Sequence, residues 1–273
     1  MAVIMNARPE TVDADWLDEH LDDRGLRIVD ARSAYDYKKG HVKNAVNIEL
    51  FDIVRSWGGL PAMCIPQDGF ERLMSLKGIG NETTVVAYDN FGGLFSARLL
   101  WTLEHFGHKR IKVYNGSIKT WLDAGRTFTV TVPRVGATRY RAKHGEQNLA
   151  TKEWILDHLK DNNVRYLDVR RGGEYTGKVA FGKRGGHIPG AVHIHWLEAI
   201  DPNTAKFKAL DELRSMYERS GLTQDKEIVT YCWMGLRASH GYMMLRLLGY
   251  PKVRTYDSSF SEWGDVEECA VER

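Results

Sequence analysis

Leu26-Arg27-Ile28-Val29-Asp30-Ala31-Arg32 and Val164-Arg165-Tyr166-Leu167-Asp168-Val169-Arg170 are one segment written twice, 138 positions apart. Each is a short apolar run that closes on Asp-x-Arg, the pattern of a buried strand running into a polar turn. Upstream, Asp15-Trp16-Leu17-Asp18-Glu19-His20-Leu21 matches Glu153-Trp154-Ile155-Leu156-Asp157-His158-Leu159 at the same displacement. Downstream, Gly40-His41-Val42-Lys43-Asn44-Ala45-Val46 matches Gly186-His187-Ile188-Pro189-Gly190-Ala191-Val192, now 146 positions apart, so the second half carries eight extra residues around Gly177 to Gly185. Val85-Val86-Ala87-Tyr88-Asp89 pairs with Ile228-Val229-Thr230-Tyr231-Cys232, and Tyr114-Asn115 with Trp121 pairs with Tyr256-Asp257 with Trp263. Five ordered blocks mean two copies of one domain.

Within each copy, short strand-like runs (Arg27 to Val29, Thr84 to Tyr88, Ile111 to Tyr114 and their partners) alternate with helical stretches such as Ser96 to His105 and Ser117 to Ala124. That alternation predicts an α/β fold with a parallel sheet and helices on both faces. The division expected is residues 1–130, a linker over 131–147, and 148–273. Gly125 to Gln147, with Pro133, Gly136 and Gly145, reads as an extended connector containing a strand over Thr127 to Val132 and packing across the pair.

Composition narrows the function. The 273 residues carry 38 Lys+Arg against 36 Asp+Glu, a formal charge of +2, which gives no bulk attraction for nucleic acid or an anionic membrane. Three cysteines at unrelated spacings (Cys64, Cys232, Cys269) suit neither a disulfide framework nor a CxxC metal pair, so no metal is expected. No apolar run approaches the ~18 residues of a membrane span. The N-terminal Met1 to Glu10 has no basic-then-apolar signal pattern, so the expected location is the reducing cytoplasm.

The chemistry concentrates in Ile228-Val229-Thr230-Tyr231-Cys232-Trp233-Met234-Gly235-Leu236-Arg237-Ala238-Ser239-His240. An apolar strand ends at Cys232, a short loop with Gly235 follows, and a helix is expected from near Ala238. At the carboxyl end of a parallel strand a thiol faces free backbone N–H groups and the positive end of a helix dipole, which favour negative charge on sulfur. Arg237 adds a full charge at the rim. Copy one has Asp89-Asn90-Phe91-Gly92-Gly93-Leu94-Phe95-Ser96 here; aligned at equal length, Asp89 replaces Cys232 and Leu94 replaces Arg237. A cysteine after an apolar strand is often buried and inert. The altered copy beside it argues for a nucleophile instead.

Asp168-Val169-Arg170, Gly186-His187-Ile188-Pro189-Gly190-Ala191, the Cys232 to Arg237 loop and the closing Tyr256-Asp257…Trp263-Gly264 resemble the tandem rhodanese-like sulfurtransferases, over nearly the whole chain. The resemblance implies two rhodanese-like domains, each with a five-stranded parallel sheet. It implies an inactive N-terminal copy and a catalytic Cys232 in the C-terminal one, facing the interdomain cleft. It further implies that Cys232 takes the outer sulfur of a small-molecule donor as a persulfide and passes it to cyanide, a small thiol or a thioredoxin-like acceptor, chemistry that needs no organic cofactor. Backbone N–H groups from Trp233 through Met234, Gly235 and Leu236 to Arg237 would hold that sulfur.

Arg237 at the rim favours the dianionic donor thiosulfate, with 3-mercaptopyruvate as the alternative. Relatives often carry a donor-binding Arg where this chain has Glu174; Arg171 or Arg184 is the expected substitute. Asp168 and Asp30 are expected to tie loops to backbone N–H groups, and His187, like His41, to order its turn. Met243, Met244, Leu245, Leu247 and Leu248 read as core, and no role falls to Cys64 or Cys269. A phosphatase of the same fold would need five residues between Cys and Arg, and only Trp233 to Leu236 intervene. A non-catalytic binding module would fit copy one better than copy two.

Overall fold

The computed structural model describes residues 8–143 and 145–273. Met1 to Ala7 of the N-terminal reading and His144 of the connector lie outside the described residues. Two compact units emerge. Of the described residues, unit one gathers those up to Val54, those within Cys64–Gly145 and Asp201–Phe207; unit two gathers Arg55–Met63, Glu146–Ile200 and Lys208–Arg273.

Unit one is built on β1 (Glu10–Val12), β2 (Leu26–Asp30) and β3 (Val46–Asn47). The two-stranded ribbon that follows in the chain, β4 (Val54–Trp57) with β5 (Leu60–Cys64), belongs over Arg55–Met63 to unit two, and β6 (Thr84–Tyr88) and β7 (Ile111–Tyr114) complete the strands of unit one. Its parallel sheet runs in the order β1-β7-β6-β2-β3. Unit two repeats this with β8 (Leu149–Ala150), β9 (Val164–Asp168), β10 (Val192–His193), β11 (Glu227–Tyr231) and β12 (Val253–Tyr256), ordered β10-β9-β11-β12-β8, again all parallel. Each unit is thus an α/β domain with a five-stranded sheet, and the central strands β2, β6, β9 and β11 are buried over most of their length because both faces are covered. Asp30 lies opposite Tyr88 and Asp168 opposite Tyr231, the same register in both copies.

Helices α1 (Ala14–Glu19), α2 (Ala34–Lys39), α3 (Leu50–Ile53), α4 (Gln67–Leu76), α5 (Leu94–His105) and α6 (Ile118–Asp123) surround the first sheet. Around the second lie α7 (Lys152–His158), α8 (Gly172–Tyr175), α9 (Leu210–Arg219), α10 (Leu236–Leu247) and α11 (Ser259–Trp263). Sequence sets their starts: Asp13 caps Trp16 N at 2.9 Å, and Thr151 caps Trp154 N at 3.2 Å in the matching place. The cores also match. Leu17, Ile28, Val86, Tyr88 and Trp121 pack in unit one, and Ile155, Tyr166, Val229, Tyr231 and Trp263 in unit two.

The connector differs from expectation. Thr127 to Val132 is no strand; it contributes one antiparallel bridge, Thr129 with His41. Residues 131–143, expected as a linker, form a strap on unit one. Tyr140 is buried against Phe70 and His108, Ala142 N–H donates to Glu71 (2.9 Å), and Lys143 N–H donates to Phe106 O (3.0 Å). One buried aromatic and its flanking backbone bonds suffice to fasten a segment that has no periodicity of its own. Among the described residues, no helix is long and apolar enough to cross a membrane.

Candidate functional site

Cys232 directly follows β11, with 1% of its surface exposed. Gly235, at φ +78°, turns the chain into α10, which begins at Leu236, two residues before the expected start. A left-handed backbone of this kind favours glycine because a Cβ would clash with the following carbonyl. The first i→i−4 bond is Ser239 N–H to Gly235 O at 3.0 Å, so the first-turn N–H groups of Leu236, Arg237 and Ala238 have no partner within the helix.

Ser259, which the sequence reading passed over, braces this loop. Its Oγ accepts from Cys232 N–H at 3.0 Å and Gly235 N–H at 3.1 Å, and donates to Tyr256 O at 2.7 Å. The Cys232 Sγ lies 3.9 Å from the same oxygen. A hydroxyl has one proton, and the short bond to Tyr256 O holds it. Ser259 itself sits at φ +56°, a strained backbone for a residue with a Cβ. Nothing in the sequence signals that conformation, although Tyr256-Asp257 three residues upstream marked the neighbourhood.

The structure changes the meaning of Arg237. Its Nη1 and Nη2 donate to the two carboxylate oxygens of Glu174 at 2.7 and 2.8 Å, and Arg171 N–H donates to Glu174 at 3.2 Å. Burial opposes the charge on Glu174, but these bonds outweigh it and hold the carboxyl below the usual range. Burial likewise opposes the charge on Arg237. The bond to Glu174 and the nearby Cys232 and Asp168 outweigh it, so its pKa rises. The guanidinium expected to meet the donor is therefore held in a fork-to-fork pair.

The other sequence candidates fall into distinct places. Arg184 donates to the carbonyls of Gly264 (3.0 Å), Cys269 (2.9 Å), Trp263 (3.0 Å) and Val266, so its fork is committed to the C-terminal segment rather than open to a donor. Arg171 is exposed at the start of α8. Asp168 accepts one backbone N–H, from Arg170, but chiefly grips the Arg170 guanidinium (2.9 and 2.5 Å), which also reaches Gly186 O at 2.6 Å. Asp30, Arg32 and Gly40 repeat this buried arrangement. His187 stacks on Tyr175 with centroids 3.7 Å apart and bridges its backbone to Glu272, as His41 stacks on Tyr37 and bridges to Thr129. Trp233 lies against the extra stretch, its ring edge-on to Phe181 at 5.6 Å, and Met234 points outward, 37% exposed.

In unit one the matching loop holds an anion of its own. The fully buried Asp89 carboxylate accepts from the N–H groups of Phe91 (2.7 Å), Gly93 (3.0 Å), Phe95 (2.8 Å) and Ser96 (2.9 Å), and from Ser96 Oγ (3.2 Å). Helix α5 starts at Leu94 after left-handed Gly93, as α10 starts at Leu236 after left-handed Gly235. Gly93 therefore corresponds to Gly235 and Phe95 to Arg237. This corrects the equal-length alignment that put Leu94 opposite Arg237, because the loop of copy one is one residue longer. The signal was present: the copies lie 143 positions apart at Tyr88 and Tyr231 but 142 at Tyr114 and Tyr256.

A family model described as a rhodanese-like domain matches residues 13–124 and 151–265. The chain is 36% identical over 276 residues to a sulfur carrier protein of Thermus thermophilus, covering 95% of each chain. It is 30% identical over 264 residues to the thiosulfate sulfurtransferase of Azotobacter vinelandii, covering 97% of each. Among solved structures it is similar to the 3-mercaptopyruvate sulfotransferase SseA of Escherichia coli, at 25% identity and a TM-score of 0.83, covering 91% of this chain and 98% of that one.

Proposed function

Because this chain belongs to the rhodanese-like family, we propose that it is a sulfurtransferase that carries sulfane sulfur on Cys232, with thiosulfate as donor. The thiolate attacks the outer sulfur of thiosulfate, the S–S bond of the donor breaks, and sulfite leaves with the bonding pair. A second nucleophile, cyanide or a thiol such as that of a thioredoxin-like protein, then attacks the outer sulfur of the persulfide and restores the Cys232 thiolate. The setting for this exchange is the cytoplasm.

The observation that carries the reading is the loop of unit one. There, the N–H groups of Phe95 and Ser96, with two from the loop, grip a carboxylate at the carboxyl end of the same central strand. Counted from the helix start, Arg237 and Ala238 supply the corresponding N–H groups in unit two, where Cys232 takes the place of the carboxylate. A cradle that holds one anion suits a sulfur that must carry negative charge before and after each transfer. The Asp168–Arg170 pair packs against the neighbours of Cys232 and Ser259, its guanidinium over the Tyr231 and Phe260 rings at 5.6 and 4.1 Å.

The donor assignment has the weight of relatives named for thiosulfate. The Glu174–Arg237 pair favours the alternative only in that it leaves less net positive charge for a dianion. Intact-mass analysis after mixing with thiosulfate or 3-mercaptopyruvate tests both. One added sulfur on Cys232 with thiosulfate, absent in Cys232→Ser, is the expected result. Sulfur gained only from 3-mercaptopyruvate would move the donor, and sulfur gained from neither would refute the transfer.

A further inference from the structure

Unit two carries beside its thiol a feature that unit one lacks, the extra stretch around Gly177 to Gly185. It is fastened at one end by the Arg184 fork on the C-terminal carbonyls and by Lys183 N–H on Asp265 at 2.7 Å. It lies close on the catalytic loop, for a Cβ at Gly182 would come within 3.0 Å of the Trp233 ring. Yet its apolar side chains face outward. Phe181, in ring contact with Trp233, is 65% exposed and Val179 46%, and Met234, the residue after Trp233, is 37% exposed. Exposed aromatic and aliphatic groups clustered beside a buried nucleophile are the mark of a docking surface, since a small anion gains nothing from them.

Basic side chains gather around this collar. Arg171 and Lys178 are exposed, and neither enters an ion pair among the described residues; Lys183 is exposed as well. Of the nearby carboxylates, Glu174 is paired with Arg237, while the exposed Asp265 accepts the Lys183 N–H. We propose that Val179, Phe181, Trp233 and Met234, flanked by Arg171, Lys178 and Lys183, dock a protein acceptor whose thiol sits on an apolar segment with acidic flanks. The inference rests on the sulfur-transfer reading and names the acceptor class for that site. The acceptor thiolate attacks the outer sulfur of the Cys232 persulfide, the S–S bond of the persulfide breaks, and Cys232 departs as thiolate. The acceptor leaves as the persulfide, its thiol proton having gone to solvent, so no oxidant or reductant is needed.

Two cysteine pentapeptides serve as probes, one with apolar neighbours and terminal glutamates, its twin with terminal lysines. The full-length protein is loaded with sulfur, and its discharge by each peptide and by cyanide is followed by intact mass at low and high salt. The glutamate peptide should discharge it roughly tenfold faster than the lysine peptide at low salt, the gap closing at high salt. Lys178→Glu with Lys183→Glu should bring the ratio to one or below, and Phe181→Ser should slow both peptides while leaving cyanide unchanged. Equal rates with both peptides in the unaltered protein, or an equal slowing of cyanide by Phe181→Ser, would overturn the docking surface alone. A chain that never takes sulfur on Cys232 from either donor would overturn the transfer reading and the docking surface with it.

Discussion

The loop at Asp89 and the loop at Cys232 occupy the same place in two copies of one fold, and they differ in who supplies the anion. In unit one the chain fills its own cradle: a carboxylate takes four backbone N–H groups and a hydroxyl, and the loop is one residue longer to bring them around its two oxygens. In unit two a single sulfur stands there, Ser259 braces the shorter loop, and the first-turn N–H groups have no carboxylate to bind. In unit one the loop is an anion site by construction, and the residue at the strand end is what differs most between the two copies.

The sharpest way to break this comparison is at the nucleophile. Cys232→Ser should reduce sulfur transfer to background, a loss of at least about 10³-fold, measured by steady-state assay with thiosulfate. Asp89→Cys should not create a second carrier, because the longer loop is shaped for a carboxylate; intact mass would reveal any sulfur gained at that position. The next effect is on stability. Asp89→Ala strands several buried N–H groups and should cost about 3 kcal/mol in denaturant unfolding, with catalysis by unit two retained at permissive temperature.

Glu174→Gln tests whether the pinned Arg237 serves the donor. Releasing the guanidinium should raise kcat/KM for thiosulfate severalfold, most at low ionic strength, while costing about 2 kcal/mol of stability. The carboxyl of Glu174 is held below its unfolded value, so the stability it contributes is present above the usual Glu range near pH ~4.3 and is lost as pH falls through the lower folded value. The stability gap between wild type and Glu174→Gln should therefore shrink on acidification; a gap independent of pH would remove the ion pair from the explanation. The smallest effect belongs to Ser259→Ala, which leaves the N–H groups of Cys232 and Gly235 without their shared acceptor. It should cost about 1–2 kcal/mol and lower kcat more than it changes KM.

Much of this architecture was legible in the residues. Paired Leu26 to Arg32 and Val164 to Arg170 predicted two like domains, and the alternation around Thr84 to Tyr88 predicted parallel sheets, because strand and helix leave periodic traces in sequence. The place of Cys232 at the end of a strand was legible for the same reason. Tyr140 and its strap were not legible, since one anchored side chain in an extended segment has no period. The Arg237–Glu174 pair was missed because the partners lie 63 positions apart and nothing local links them. Arg184 looked available for a donor, and only the fold shows the carbonyls that occupy it.

The sequence by itself determined the repeat, the alternation that makes each copy an α/β domain with a parallel sheet, and the presence of a cysteine in only one of two equivalent loops. These follow from local pattern and from comparison of the chain with itself. Tertiary structure alone decided how the polar groups are spent: which arginine is neutralised, which serine braces the thiol loop, which carboxylate fills a cradle. Hydrogen bonds and ion pairs act over about 3 Å in space, whereas the pattern of residues records only distance along the chain.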